Sequence, residues 1–431
     1  MSSITDKRYL NFFPYNPQKL FGNWNLQFYK KYYFEDIATL DSALINPTQF
    51  IITKQVIIDT SKRLNRKINL VITAVGTGSI VNTIEQNLEE LIHYIDSITL
   101  TDLKDIDLNK WEKINQSEIV LKKKIGNILE SNFVDSLSGD MFYGNELFGD
   151  IPNRFIYKNK NRLYDIWIRT YSKNRLPKLI EKTVKNILQK IYYKNSFPEI
   201  FTPDIGKLLA FDIALKRPIF NRELEYHYQN YPDKSIIAIA DGAFEVLSNI
   251  YERIPRKGTI LFHDYGFFLP ENRHLIENFL RPDNVNNPFV RNYYGEFTTD
   301  PSFDFLYYKF INYVNKISIK KTVDRVSEIT NTPSLLINLD GDERKVTYFI
   351  DLIRERFEKW NITEKESIGG IVNDYINGVK TGNPDVDNVV LDINEKLNNT
   401  LSEDRKLTIK KILLGYFNDD DHRFLTIEIN K

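Results

Sequence analysis

Residues 68–80 read Ile68-Asn69-Leu70-Val71-Ile72-Thr73-Ala74-Val75-Gly76-Thr77-Gly78-Ser79-Ile80. The first eight are largely β-branched and apolar, as in a strand buried within a parallel sheet. Gly76 and Gly78 then permit a tight turn where the backbone can come close to a ligand, and a following helix would offer free N–H groups there. Ile80, Val81, Ile84, Leu88, Leu91, Ile92 and Ile95 recur at three- and four-residue spacings, which predicts that helix. Ser97-Ile98-Thr99-Leu100-Thr101 reads as a second strand closing on Asp102. A strand, a glycine turn, a helix and a second strand tipped by an acid make one β–α–β unit.

Working outward, further short strands are expected at residues 119–125, 139–143 and 258–262. Strands separated by helices predict an α/β fold with a doubly wound, mostly parallel sheet. A core over residues 67–330 is expected to carry an insertion at about 153–235, lying over the carboxyl ends of the strands where such sheets bind ligands. The insertion opens with a hairpin over 154–169 that turns at Lys158-Asn159-Lys160-Asn161. A helix with Leu176, Leu179, Ile180, Val184, Ile187, Leu188 and Ile191 on one face follows it. Residues 1–66 read as a mostly helical segment and 331–431 as a mostly helical extension ending in a strand over 423–429.

Composition removes several chemistries. The sequence has no cysteine, which excludes disulfides, thiolate metal sites, iron–sulfur clusters and a cysteine nucleophile. Five histidines with no ligand-like spacing argue against a histidine metal site, so no metal is expected. The 58 basic and 58 acidic side chains cancel, leaving no global field toward nucleic acid or an anionic membrane. No apolar stretch is long enough to span a bilayer and no export signal is visible, so a cytoplasmic enzyme is expected. The run Tyr29-Lys30-Lys31-Tyr32-Tyr33-Phe34 has aromatics that could stack bases, but it reads as a half-buried element with snorkelling lysines. Asp419-Asp420-Asp421 beside His422 reads as a solvated loop.

The glycine turn narrows the cofactor. The third glycine of a G-x-G-x-x-G dinucleotide fingerprint is replaced by Val81, which disfavours NAD and FAD, and there is no P-loop. A nucleoside cofactor with an amino-acid tail and no phosphates suits such a turn; Asp102 is placed for ribose hydroxyls and taken alone reads equally as a solvated acid after a strand. Two more strand tips are polar. Asn145-Glu146 could hold and orient an amine or guanidinium, although the same segment reads equally as a cap and turn ended by Pro152. His263-Asp264-Tyr265-Gly266 forms the third tip.

Taken in order, TAVGTGSI at 73–80, NELFGDIP at 145–152, FHDYG at 262–266 and YGEFTTDPSFDF at 294–305 resemble the motifs of the MidA-type S-adenosylmethionine (SAM)-dependent methyltransferases. That group includes the mitochondrial complex I assembly-factor arginine methyltransferase. The resemblance spans roughly residues 65–310 and implies a class I (Rossmann-like) SAM methyltransferase fold, SAM as cofactor, and methyl transfer to a nitrogen (or oxygen) nucleophile, with a protein arginine as acceptor. It implies Gly76, Thr77 and Gly78 on the methionine side of SAM, Asp102 on the ribose and Asn127 or Ile128 near the adenine. Glu146 becomes the acceptor-orienting carboxylate, with Asn145, Asp264 and Tyr265 beside it. Departures gather on the acceptor side: the motif's Asp positions hold Gly149 and Thr298, its Thr is Asp300, and its first glycine is Ala74. A small molecule or peptide therefore stands as an alternative acceptor, and a non-catalytic assembly protein as an alternative function; a monomer and a homodimer both fit.

Overall fold

In the computed structural model the described residues are 8–31, 47–197, 202–271, 290–293, 295–314, 316–330 and 424–431. Of the extension expected over 331–431, residues 331–423, Asp419–His422 included, lie outside them, as do Tyr32, Tyr33 and Phe34. Two compact units divide the chain: residues 1–45, 56–319 and 427–431 form the first, and 46–55 with 320–426 the second. In the second, the buried hydroxyls of Thr322 and Thr426 lie 3.0 Å apart. The candidate site lies in the first.

The stretch that opens the sequence argument forms β1 (Ile68–Thr73), with Leu70, Val71 and Ile72 buried. It is flanked in parallel by β2 (Ile95–Asp102) on one side and β4 (Met141–Asn145) on the other. β3 (Val120–Ile125) continues the parallel sheet beyond β2, and β9 (Thr259–Tyr265) continues it beyond β4. With β13 (Lys316–Lys321) and β14 (Phe424–Asn430) the seven-stranded order is β13-β14-β9-β4-β1-β2-β3. Lys431, just past β14, exchanges backbone hydrogen bonds with Lys257 and Gly258 at the start of β9, so β14 runs against β9. This is the doubly wound, mostly parallel α/β sheet expected. Strand order reverses between β1 and β4, so a crevice opens at their carboxyl ends, the position where such sheets bind ligands.

The helix after the glycine turn is shorter than expected. α3 (Ser79–Gln86) stops at Asn87, α4 (Leu88–Leu91) is one further turn, and Ile95 already belongs to β2. Asn87 caps the end of α3: its backbone N–H and its side-chain amide both donate to the Thr83 carbonyl.

A second sheet has the order β12-β8-β5-β6-β7: β5 (Arg154–Asn159), β6 (Arg162–Ser172), β7 (Leu209–Pro218), β8 (Ile236–Ile239) and β12 (Pro301–Ser302). The β5–β6 hairpin turns where expected, with Lys160 at φ 53°. Chain 9–15 also joins this sheet, Tyr15 and Ile168 exchanging backbone hydrogen bonds. Beneath it lie α1 (Pro17–Lys31) and α7 (Lys178–Lys194). Leu20, Phe21, Trp24 and Phe28 share one core with Val184, Ile187, Leu188 and Ile191. Leu179 and Ile180, expected on the same buried face of α7, are exposed in its first turn.

Candidate functional site

At the end of β1 the chain takes three left-handed residues within five positions: Ala74 (φ 50°), Gly76 (φ 57°) and Gly78 (φ 82°). The two glycines serve different ends. A Cβ on Gly78 would lie 2.4 Å from Cζ2 of Trp111, whose Nε1 donates to Asn82 Oδ1 at 2.7 Å, so this position is filled by the protein itself. Among the described residues, a Cβ on Gly76 would meet nothing nearer than the Ala74 carbonyl oxygen at 3.9 Å. Val81 is fully buried against the core, where a dinucleotide fingerprint needs glycine.

Asp102, at the tip of β2, accepts the Gly76 N–H at 3.1 Å and the Leu103 N–H at 2.7 Å. Burial raises its carboxyl above the ordinary range against these two amides. The Gly126 N–H bonds the Asp102 carbonyl at 2.9 Å. Asn127 turns the chain there by accepting the Leu129 N–H, and Ile128 is buried beside it. The structure therefore brings Gly76, Asp102 and residues 126–128 to adjacent strand tips on one sheet edge, with Thr77 exposed in the turn.

A second group lies across the crevice at the tips of β4 and β9. Glu146 sits at φ 50°, unusual for a non-glycine residue, and its N–H donates to the His263 carbonyl at 2.9 Å. Asn145 offers its amide to Glu146 Oε1 at 3.5 Å, and the Asn145 Oδ1 is buried with no hydrogen-bond partner among the described residues. Asp264 was expected as a polar neighbour facing the acceptor. Its role here is different: Oδ2 accepts the N–H groups of Leu147 and Phe148 at 2.8 and 2.5 Å, and Oδ1 that of Tyr265 at 2.8 Å. It fixes the turn that points Glu146, because a buried carboxylate is held best by converging amides. Tyr265 is half-buried with the Arg291 guanidinium 5.8 Å from its ring centre.

Other members come from elements that sequence reasoning left out. Asp150, just past the Asn145-Glu146 pair, accepts the Tyr29 hydroxyl at 2.8 Å, and the same hydroxyl is in short contact with Glu296 Oε2. Tyr29 lies on α1, and Glu296 on β11 (Glu296–Thr298), which pairs with β10 (Arg291–Tyr293) as a hairpin. Arg291 ion-pairs with Asp300 at 2.5 Å. Asn25, also on α1, clamps the region: its amide donates to the carbonyls of Asp150 (2.9 Å) and Phe297 (2.8 Å), and its oxygen accepts the Phe297 N–H (3.0 Å). In the sequence, residues 1–66 read only as mostly helical and Tyr29 as the start of an aromatic-basic run; nothing local marks Asn25 or Tyr29 as partners of residues more than 120 positions away. Gly149, the departure from the motif's Asp, is also explained. A Cβ there would lie 2.5 Å from the Thr299 carbonyl oxygen, and the neighbouring Asp150 accepts the Tyr29 hydroxyl.

So many acids in one half-buried place do not all ionise together. Burial first, then the charges of Asp264 and Asp150, pushes Glu146 up to about 8. Asp264 also rises to about 8, through burial and despite its amide donors. Asp150 rises to about 6 and Glu296 well above the carboxylate range, both chiefly through burial. Among the described residues no three His, Asp or Glu side chains are placed to hold a metal ion.

No protein-family model matches the sequence, and no curated protein matches it either. Among solved structures, an uncharacterized protein from Burkholderia thailandensis overlaps 95% of this chain and 87% of its own at 10% identity, TM-score 0.45. A member of the same superfamily from that organism, bound to S-adenosyl-homocysteine, overlaps 93% and 81% at 12% identity, TM-score 0.43. The N-methyltransferase NodS from Bradyrhizobium japonicum, also in complex with S-adenosyl-homocysteine, overlaps 56% and 72% at 10% identity, TM-score 0.23. Similarities this loose leave the reading to the site itself.

Proposed function

We propose that this protein is a SAM-dependent methyltransferase that acts on a nitrogen nucleophile. One observation carries the reading. The Asp102 carboxylate at the tip of β2 is bonded to the Gly76 N–H of the glycine turn, where no described residue would crowd a Cβ on Gly76. An acid for ribose hydroxyls next to backbone that can lie against an amino-acid tail suits a nucleoside cofactor without phosphates. The buried Val81 removes the close approach that a pyrophosphate needs.

When bound, SAM supplies an electrophilic methyl group on its sulfonium. Gly76 and Thr77 would line its tail, with Gly78 shaping the turn against Trp111; Asp102 would lie at its ribose, and Asn127 and Ile128 on its adenine side. Across the crevice, Glu146 is held by the turn that Asp264 fixes. Its carboxylate orients the acceptor by charge-assisted hydrogen bonds and takes the proton that the attacking nitrogen must lose. A base whose carboxyl titrates near 8 suits that task near neutral pH. A protein arginine is the acceptor that the motif resemblance favours, and the altered residues Gly149, Thr298 and Asp300 keep a small molecule or peptide as the second reading.

Calorimetric titration of the full chain with SAM and, in parallel, with NAD tests the cofactor. Micromolar SAM binding with no NAD binding is expected. Failure of SAM and its product analogue to bind would move the protein to a non-catalytic assembly role on this fold.

A further inference from the structure

Three oxygens set a hydrogen-counting problem that the proposed chemistry does not use. The Tyr29 hydroxyl lies between Asp150 Oδ2, at 2.8 Å, and Glu296 Oε2, in short contact. A phenol has one hydrogen to donate. If both carboxyls were ionised, that hydrogen would satisfy one of them and the other would face the phenol oxygen lone pair against lone pair. The arrangement is satisfied only when one carboxyl carries a proton and donates it to the phenol oxygen, while the phenol donates to the other. Glu296 is 7% exposed and Asp150 is half-buried, so the proton belongs on Glu296.

We infer that Tyr29 is a positioning residue of this site: Asp150, Tyr29 and Glu296 form one hydrogen-bonded chain that holds a proton in common, so the two carboxyls present a single negative charge to the crevice beside Glu146. The surrounding charges fit this account. Asp264 is taken up by three backbone amides, and Arg291 is paired with Asp300 while its positive charge also favours ionised Asp150. The charge of Asp150 itself, after burial, keeps a second charge off Glu296. The Thr298 side chain also hydrogen-bonds Asp150 and favours its ionised form. The hydrogen count does not depend on methyl transfer; only its meaning for an acceptor's charge rests on the function proposed above.

The test is infrared spectroscopy of the full chain across pH, read at the C=O stretch of protonated carboxyls. Subtracting the Glu296→Gln spectrum from that of the unaltered protein at neutral pH is expected to leave one protonated-carboxyl band. Tyr29→Phe is expected to shift that band in frequency and in its pH midpoint, because the carboxyl loses its phenol partner. Absence of the band from the difference spectrum would overturn the shared proton, and this result is read from Glu296→Gln even if Tyr29→Phe does not fold. A band whose frequency and midpoint are the same in a folded Tyr29→Phe protein would leave Tyr29 as packing only and overturn its assignment. SAM titration of the unaltered protein separates the two ideas: no band in the difference spectrum with SAM binding intact sinks the proton chain and spares the methyltransferase reading, and a band with no SAM binding does the opposite.

Discussion

Gly76 and Gly78 both have positive φ, yet alanine is expected to fail at them in different ways. At Gly78 the added Cβ would stand 2.4 Å from Trp111 Cζ2, and the indole cannot simply swing away because Nε1 is bonded to Asn82. Left-handed strain of about 1–2 kcal/mol adds to an overpacking cost of about 1–3 kcal/mol, so Gly78→Ala is expected to lower stability by roughly 2–5 kcal/mol. At Gly76 only the strain remains, about 1–2 kcal/mol, because no described residue crowds the Cβ. The space beside it is where the cofactor's tail is proposed to lie. Gly76→Ala is therefore expected to weaken SAM by at least about tenfold, equivalent to ~1.4 kcal/mol, with a modest loss of stability, and Gly76→Val to abolish binding. Denaturant unfolding and calorimetric SAM titration of each variant measure the two quantities separately. A Gly76→Ala protein that binds SAM as the unaltered chain does would refute the reasoning, since the turn would then not border the cofactor.

Asp102→Ala is expected to weaken SAM at least about tenfold by removing a carboxylate's charge-assisted hydrogen bonds, checked by the same titration. Glu146→Gln or Glu146→Ala is expected to spare SAM binding and to lower turnover once an acceptor is found, with the activity of the unaltered protein rising with pH toward about 8 as Glu146 ionises. The same group makes a stability prediction. Its folded carboxyl titrates above its unfolded one, so the native state binds the extra proton; the contribution is complete below about 4.5 and disappears as pH rises through about 8. Urea unfolding from pH 5 to pH 8.5 is expected to show stability falling, and Glu146→Gln to flatten that fall. Asn25→Ala leaves the Asp150 and Phe297 backbone groups without their amide partner and is expected to cost about 2–3 kcal/mol, seen as a lower urea midpoint.

The α/β class, the β1–turn–α3–β2 unit and the polar strand tips were all legible in the sequence. Each is a local matter: a run of β-branched residues, glycine where φ must be positive, an acid just after a strand. Glu146 and Asp102 could be singled out for the same reason, since a side chain at a strand tip in a parallel sheet faces the same edge as its neighbours' tips. The second sheet was largely hidden. Its hairpin turn was visible, but β7 ends in an exposed stretch with little apolar alternation, and β8 and β12 are too short to show a period. Only the tertiary structure decided that α1 belongs at the site, that Asp264 holds a turn and does not face the crevice, and that Tyr29 sits between Asp150 and Glu296. Those facts depend on residues far apart in sequence coming to share one buried hydrogen-bond network, and no local spacing encodes which distant carbonyl or carboxyl a side chain will meet. Two glycines that read alike were likewise separated only by what stands over each: an indole at Gly78 and no described residue at Gly76.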